Sequence, residues 1–230
     1  MAQNKHIGFI GLGNMGGPIA LRLLRAGFAL TALDLDREKL QPLVREGADS
    51  ASSPAEVAQR STIVIASLQA GSVEEVTLGK QGIVHGAKAG LVFVDLSSTP
   101  PELAVKVSST LRQQNIEMLD APVSGADIGA TNGALRIFVG GSYEAYQRSL
   151  PMLQYVGRMV TYLGENGSGQ IGKVINEMMQ AQSALAIYVG LLLAEKMGLD
   201  LKTFARACGL SRCWSSPCSA CSAFACTCCR

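Results

Sequence analysis

Lys5-His6-Ile7-Gly8-Phe9-Ile10-Gly11-Leu12-Gly13-Asn14-Met15-Gly16 is the stretch that decides the fold. The residues up to Ile10 form a strand-like apolar run. It passes without a break into a GxGxxG turn, and an amphipathic stretch follows as far as Gly27. A second apolar run then ends at Asp34. A strand, a glycine turn, a helix and an acidic residue roughly 20 positions on make up the dinucleotide-binding fingerprint of a βαβ unit. Gly11 permits the tight turn, Gly13 lets the backbone approach a pyrophosphate, and Gly16 lets helix pack closely on strand. Leu12, Asn14 and Met15 complete the cofactor-facing turn. The helix behind it offers unpaired N–H groups and a positive dipole end to phosphate. The competing reading, a glycine turn in some other βαβ unit, fits this joint context less well.

The chain has 230 residues, 48% of them hydrophobic, with a formal net charge of +2. That length suits one large domain, or a domain with part of a second. The charge balance gives no reason to expect nucleic acid or an anionic membrane as partner. Gly and His interrupt the first apolar run and no cleavage site follows, so no signal peptide is expected. The longest uncharged apolar stretch, Ser183 to Ala194, is too short to span a bilayer. A cytoplasmic protein without nucleic-acid or membrane partners is the expectation.

Strand and helix signals alternate through residues 1–163, which predicts a doubly wound parallel sheet covered by helices. Strands are expected at Phe28–Leu33, Thr62–Ser67, Leu91–Leu96, Ile116–Ala121, Leu135–Val139 and Met159–Leu163. Helices are expected at about Gly16–Ala26, Arg37–Glu46, Pro101–Gln114 and 142–154. Ser53-Pro54-Ala55-Glu56 reads as a capping box with Pro at the first helical position. After a Gly-rich turn, one long helix runs from Gln170 to Met197. It is apolar on nearly every face, and such a helix is expected to be buried all round. The segment 164–210 thus reads as an interdomain helix and the start of an all-α domain.

Asp34 can accept hydrogen bonds from both ribose hydroxyls and repels a 2′-phosphate, which favours NAD over NADP. Arg37 nearby works against that preference. The other reading of Asp34 is a surface residue before a helix that Asp36 caps. Lys173 and Asn176, three apart, share a helix face. Lys173 is either a general acid/base tuned by burial or the ion-pair partner of Glu177 at i+4. Ser124-Gly125 is either a carboxylate-binding hydroxyl with bare N–H groups or a plain turn. His6 and His85, the latter in an expected loop, form no catalytic or metal-binding arrangement, and no metal is expected.

Four segments taken together resemble the β-hydroxyacid dehydrogenase family, which includes 3-hydroxyisobutyrate dehydrogenase and tartronate semialdehyde reductase. They are Gly11–Gly16 with Gly27; Asp120-Ala121-Pro122-Val123-Ser124-Gly125 followed by Ala130, Gly133 and Leu135; Gly167-Ser168-Gly169-Gln170 with Lys173 and Asn176; and Gly198-Leu199-Asp200. The resemblance covers about 1–210. It implies that Lys173 is the catalytic lysine and that Asn176 holds the substrate hydroxyl with it. It implies that Ser124 and Gly125 anchor the substrate carboxylate, and that Leu68 and Ser98 touch NAD(P). The implied substrate is a short 3-hydroxy acid, and the implied assembly is a homo-oligomer if the second domain is complete. Imine reductases share this fold but usually lack the lysine. Arg22 stands where the family usually has Asn, Ala126 where it has Gly, Glu177 where several members have Asn or Gln, and Val189 where Glu is usual.

All seven cysteines lie in 208–229, and 213–229 carries no charge. The segment 211–230 departs from the resemblance altogether. Out-of-frame translation of a shortened gene fits it best. The cysteine spacing suits a zinc site poorly, and a disulfide-rich tail does not suit an intracellular enzyme. On this reading, a chain that binds NAD without turnover is the alternative to an active dehydrogenase.

Overall fold

Ile7, Phe9 and Ile10 are almost wholly removed from water because their strand lies inside a sheet covered on both faces. The structure is a computed structural model that describes residues 6–69 and 71–210. The chain divides into two compact units, Met1–Lys173 and Val174–Arg230.

Among the described residues the first unit contains nine strands: β1 (His6–Ile10), β2 (Ala29–Leu33), β3 (Asp49–Ser50), β4 (Ile63–Ala66), β5 (Val92–Asp95), β6 (Glu117–Asp120), β7 (Val123–Ser124), β8 (Leu135–Gly141) and β9 (Gly157–Gly164). Its helices are α1 (Gly16–Arg25), α2 (Gln41–Arg45), α3 (Pro54–Gln59), α4 (Ser72–Leu78), α5 (Ile83–Gly86), α6 (Pro101–Arg112), α7 (Ala126–Asn132) and α8 (Tyr143–Val156). The order β3-β2-β1-β4-β5-β6 is all parallel and is that of a doubly wound dinucleotide fold. β8 departs from it and runs antiparallel to both β6 and β7. A parallel return needs a long crossover. The 7 residues of α7 are too few to carry the chain back along the sheet. β8 therefore starts at the edge where β6 ended. The longer α8 does carry the chain back, and β9 lies parallel to β8.

The strands feed two cores. Ile7, Phe9, Ile19, Leu23 and Leu43 pack on one face of the sheet. Ile10, Val57, Ile83, Val107 and Leu111 pack on the other. Each such side chain contributes roughly 1.5–3 kcal/mol by leaving water. The loops after β1, β4, β5 and β6 gather at the carboxyl edge of the sheet, where a doubly wound fold binds its ligand.

Local details differ from the expected pattern for identifiable reasons. The stretch 37–46 splits into a 3₁₀ turn, Arg37–Leu40, and α2. Pro42 lacks the N–H that a continuous helix would send to Glu38. Ser53 caps α3 by accepting from Glu56 N, but Glu56 bonds back to the N–H and hydroxyl of Ser52, not to Ser53. His85 lies in the short helix α5 instead of a loop, and α4 and α7 fall where no helix is expected.

α9 (Ser168–Lys196) starts in the first unit and continues into the second, where α10 (Leu201–Ala207) is capped by Asp200. Contrary to the expected all-round burial, Ala194 is the one buried residue between Val174 and Met197. Leu185 is 62% exposed and Met179 64%. The described residues of the second unit supply too little surface to cover so apolar a helix. By length and composition alone the 29 residues of α9 could cross a membrane. The uncharged stretch Ser183–Ala194 is only part of it. The cysteine-rich segment 211–230, with the readings attached to it, lies outside the described residues.

Candidate dinucleotide and substrate site

The three glycines of the first turn meet three different surroundings. A Cβ on Gly16 would overlap the Gly11 carbonyl oxygen, and one on Gly11, whose φ is +90°, would overlap the Ser67 carbonyl oxygen. A Cβ on Gly13 would meet nothing within 4 Å. Two glycines therefore let the turn close, and the third leaves space above it. The N-cap of α1 is Met15, with no side-chain cap and no acidic residue in the first turn. Gly17 N–H is taken by Gly13 O at 3.0 Å and Pro18 has no N–H, so an anion at this end would be met by the N–H groups that precede them. A groove of about 780 Å³ runs from Leu12, Gly13 and Asn14 along the flank of α1 as far as Arg25, which is paired with Glu46, and does not include Asp34, Leu68 or Ser98. The glycine turn, with its open side at Gly13, fits a dinucleotide pyrophosphate.

Asp34 closes the turn against the end of β2. Its Oδ2 accepts from Leu12 N at 2.6 Å and its Oδ1 from Asp36 N at 2.8 Å. Lys39 Nζ stands 4.0 Å from Oδ1. Asp36 caps the 3₁₀ turn by accepting from Glu38 N. Each Asp34 oxygen retains acceptor capacity for a ribose hydroxyl. Leu68, in the loop after β4, donates its N–H to Ser97 Oγ at 2.9 Å. Ser98 is exposed between the buried Ser97 and Thr99. The structure thus brings the glycine turn, Leu68 and Ser98 to one edge of the sheet.

Two carboxylates lie beneath that edge. Asp95, at the end of β5, accepts from Ser97 N at 2.9 Å and from the Thr99 hydroxyl at 2.8 Å. Asp120, at the end of β6, accepts from Gly167 N at 2.8 Å and from Gln170 N at 3.1 Å. Gln170 in turn donates Nε2 to Ser97 O at 2.8 Å and accepts at Oε1 from Thr99 N at 3.2 Å. Asp95, Asp120 and Gln170 are all buried. Burial pushes the Asp95 carboxyl up to about 6 against the pull of its Ser97 and Thr99 hydrogen bonds, and burial raises Asp120 as well. For an acid raised by folding, the associated stability is complete below the unfolded value near 4. It is lost as pH rises through about 6. Asp95→Asn is therefore expected to flatten the fall in unfolding free energy between pH 4 and 7, by up to about 3 kcal/mol, as read from denaturant titrations at each pH. An unchanged slope would show that Asp95 does not set it.

Ser124 lies in β7 and not in a loop, and Gly125 is the N-cap of α7. Gly125 and Ala126 have φ of +139° and +54°. Ala126 thus keeps a left-handed backbone where the resembling family usually has glycine. Arg22 Nε donates to Tyr155 O, and a Cβ on Gly133 would overlap its guanidinium. Lys173, half-buried, lies one turn beyond Gln170 on α9. Asn176 follows on the same helix, within the second unit. Its Nδ2 and the Nε2 of Gln180, one turn on, are buried with no hydrogen-bond partner among the described residues. Sequence reasoning assigned no site role to Asp95 and Asp120, nor to Gln170 and Gln180, although Asp120 and Gln170 stand in the segments that carry the resemblance. The signal for the first two was available: a lone acid at the end of each apolar run, in Phe93-Val94-Asp95-Leu96 and Met118-Leu119-Asp120-Ala121.

Sheet order, glycine turn and bare helix terminus define a dinucleotide-binding domain of the dehydrogenase type. Residues 6–164 match the family model of the NAD-binding domain of 6-phosphogluconate dehydrogenase. A probable mitochondrial 3-hydroxyisobutyrate dehydrogenase of Dictyostelium discoideum is 35% identical over 218 residues, covering 94% of this chain and 68% of that protein. A 2-(hydroxymethyl)glutarate dehydrogenase of Eubacterium barkeri is 35% identical over 212 residues, covering 92% and 70%. The solved 3-hydroxyisobutyrate dehydrogenase of Mycobacterium tuberculosis, with L-serine, superposes with a TM-score of 0.83 at 29% identity, covering 93% of this chain and 73% of that one. The chain belongs to the NAD(P)-dependent 3-hydroxyisobutyrate dehydrogenase family of hydroxyacid oxidoreductases. It spans about two thirds of the length of these curated relatives.

Proposed function

We propose that the chain oxidises a 3-hydroxypropanoate bearing a substituent at C2, with NAD preferred over NADP. The relatives' names support this substrate class. 3-Hydroxyisobutyrate, 2-(hydroxymethyl)glutarate and L-serine all carry a hydroxymethyl group on the carbon next to a carboxylate, and differ only in the third substituent. The observation that carries the reading is the origin of α9. The helix that bears Lys173 starts at the sheet edge where the glycine turn leaves β1.

In this reading Ser124 and the backbone N–H groups at Gly125 hold the carboxylate. Asn176 Nδ2, buried without a partner among the described residues, donates to the substrate hydroxyl oxygen. Lys173 Nζ takes the hydroxyl proton during oxidation and returns it during reduction. Bound nicotinamide supplies the hydride acceptor, and the protein orients the reacting carbon toward it. Asp34 holds the ribose hydroxyls, while Leu68 and Ser98 line the cofactor.

The test is titration of both dinucleotides by fluorescence, followed by NADH formation with the three acids and with a 2-hydroxy acid as control. NAD should bind more tightly than NADP, Asp34→Ala should narrow the gap, and the control acid should not react. Tighter NADP binding, lost on Arg37→Ala, would overturn the cofactor preference. Dinucleotide binding without any turnover would favour the second reading, a binding protein without activity. The exposed apolar faces of α9 favour that reading.

A further inference from the structure

Asp120 and Gln170 tie the cofactor edge of the sheet to the helix that carries Lys173. The Gly167 and Gln170 N–H groups belong to the start of α9, which leaves them without partners inside the helix. Both point at the Asp120 carboxylate. Asn166 reinforces the junction by donating Nδ2 to Met118 O at 2.8 Å. The packing is equally tight. A Cβ on Gly140 would come within 2.8 Å of either Asp120 carboxylate oxygen, and one on Gly169 would stand 2.9 Å from Oδ2. The Gln170 side chain spans the other way, to the backbone of Ser97 and Thr99 on either side of Ser98. Ser97 holds the Leu68 loop. An unbroken path of hydrogen bonds therefore runs from the Leu68 loop through Ser97 and Gln170 to Asp120. The first turn of α9 cannot slide or rotate without breaking hydrogen bonds to the buried Asp120 carboxyl group.

We propose that Gln170 and Asp120 are positioning residues that set where the Lys173 amine stands relative to the cofactor-binding loops. Neither touches the reacting atoms. Gln170 links the segment around Ser98 to the turn of α9 just before Lys173, so cofactor loop and proton-handling group move as one body. The proposal rests on the catalytic reading of Lys173 given above, and its test separates the two.

Two readouts are needed on the full chain. The first is amide hydrogen exchange, which does not depend on activity. Asp120→Asn should speed exchange of the Gly167 and Gln170 N–H groups by on the order of 10- to 100-fold, with β1 and β4 unchanged. The second is steady-state kinetics. Gln170→Ala should lower kcat by about 10- to 100-fold, with KM and the NAD dissociation constant within about threefold of the parent. Gln170→Glu keeps the acceptor for Thr99 N and should recover part of that loss. If exchange at 167–173 is unchanged, or if kcat falls only in proportion to NAD affinity, the proposal is wrong. If Asp120→Asn does not fold, Gln170→Ala carries both readouts, with exchange followed across 168–173. If the parent chain shows no turnover, the catalytic reading fails and exchange alone decides the positioning claim.

Discussion

Lys173→Ala is expected to lower turnover by on the order of 10²–10⁴ while leaving NAD affinity nearly intact. The size follows from what is removed. On the proposed mechanism, a positioned amine that handles the hydroxyl proton is lost. The cofactor loops are held by other groups. Asp34 fixes the glycine turn, and Ser97 fixes the loop at Leu68. Fluorescence titration and initial rates of NADH formation read the two effects separately. A variant that keeps its rate would make Lys173 structural, with Glu177 the natural partner to examine. A variant that loses both rate and NAD affinity would place the lysine at the cofactor.

Gly16→Ala and Gly13→Ala should separate folding from binding, although they lie three residues apart. At position 16 the new methyl would run into the carbonyl oxygen of Gly11, which is backbone and cannot swing aside. A loss of about 1–3 kcal/mol in stability is expected, visible as a lowered thermal midpoint, with dinucleotide binding weakened through the distorted turn. At position 13 the methyl meets no protein atom within 4 Å. It fills the space through which a pyrophosphate would approach. Its midpoint should equal the parent's, while NAD affinity falls by about 10-fold or more for a loss of about 1.4 kcal/mol. Equal affinity in Gly13→Ala and the parent would mean that the phosphates do not approach at this turn.

The contrast shows how much of the site was legible in the sequence. The turn could be read because its requirements are local: three glycines at fixed spacing between a short continuous apolar run and a 3.6-period run. Asp34 could be read for the same reason. α7 could not, since Gly129, Thr131 and Asn132 are poor helix formers, and the helix exists because it joins strand ends already placed by the sheet. The reversal of β8 depends on the shortness of that helix, and so was equally hidden. Asp95, Asp120 and Gln170 become a cluster only when the ends of β5 and β6 are brought under the first turn of α9. Their separation along the chain, from 95 to 170, carries no periodic signal. The apolar surface of α9 led to the opposite error. Composition says that such a surface needs cover, but not which element covers it, and the described part of the second unit does not.

Ala126, at a φ of +54°, sits about 1–2 kcal/mol above its preferred backbone. The turn is therefore held in shape by its neighbours and not by its own torsional preference. Glycine there would relieve the strain but would also admit many more backbone states. With alanine the loop has fewer arrangements to give up, so if Ser124 and Gly125 hold the carboxylate as proposed, ordering costs less at the moment of capture. The segment trades resting stability for preorganisation, and the gain would appear as affinity for the carboxylate rather than as a higher melting point.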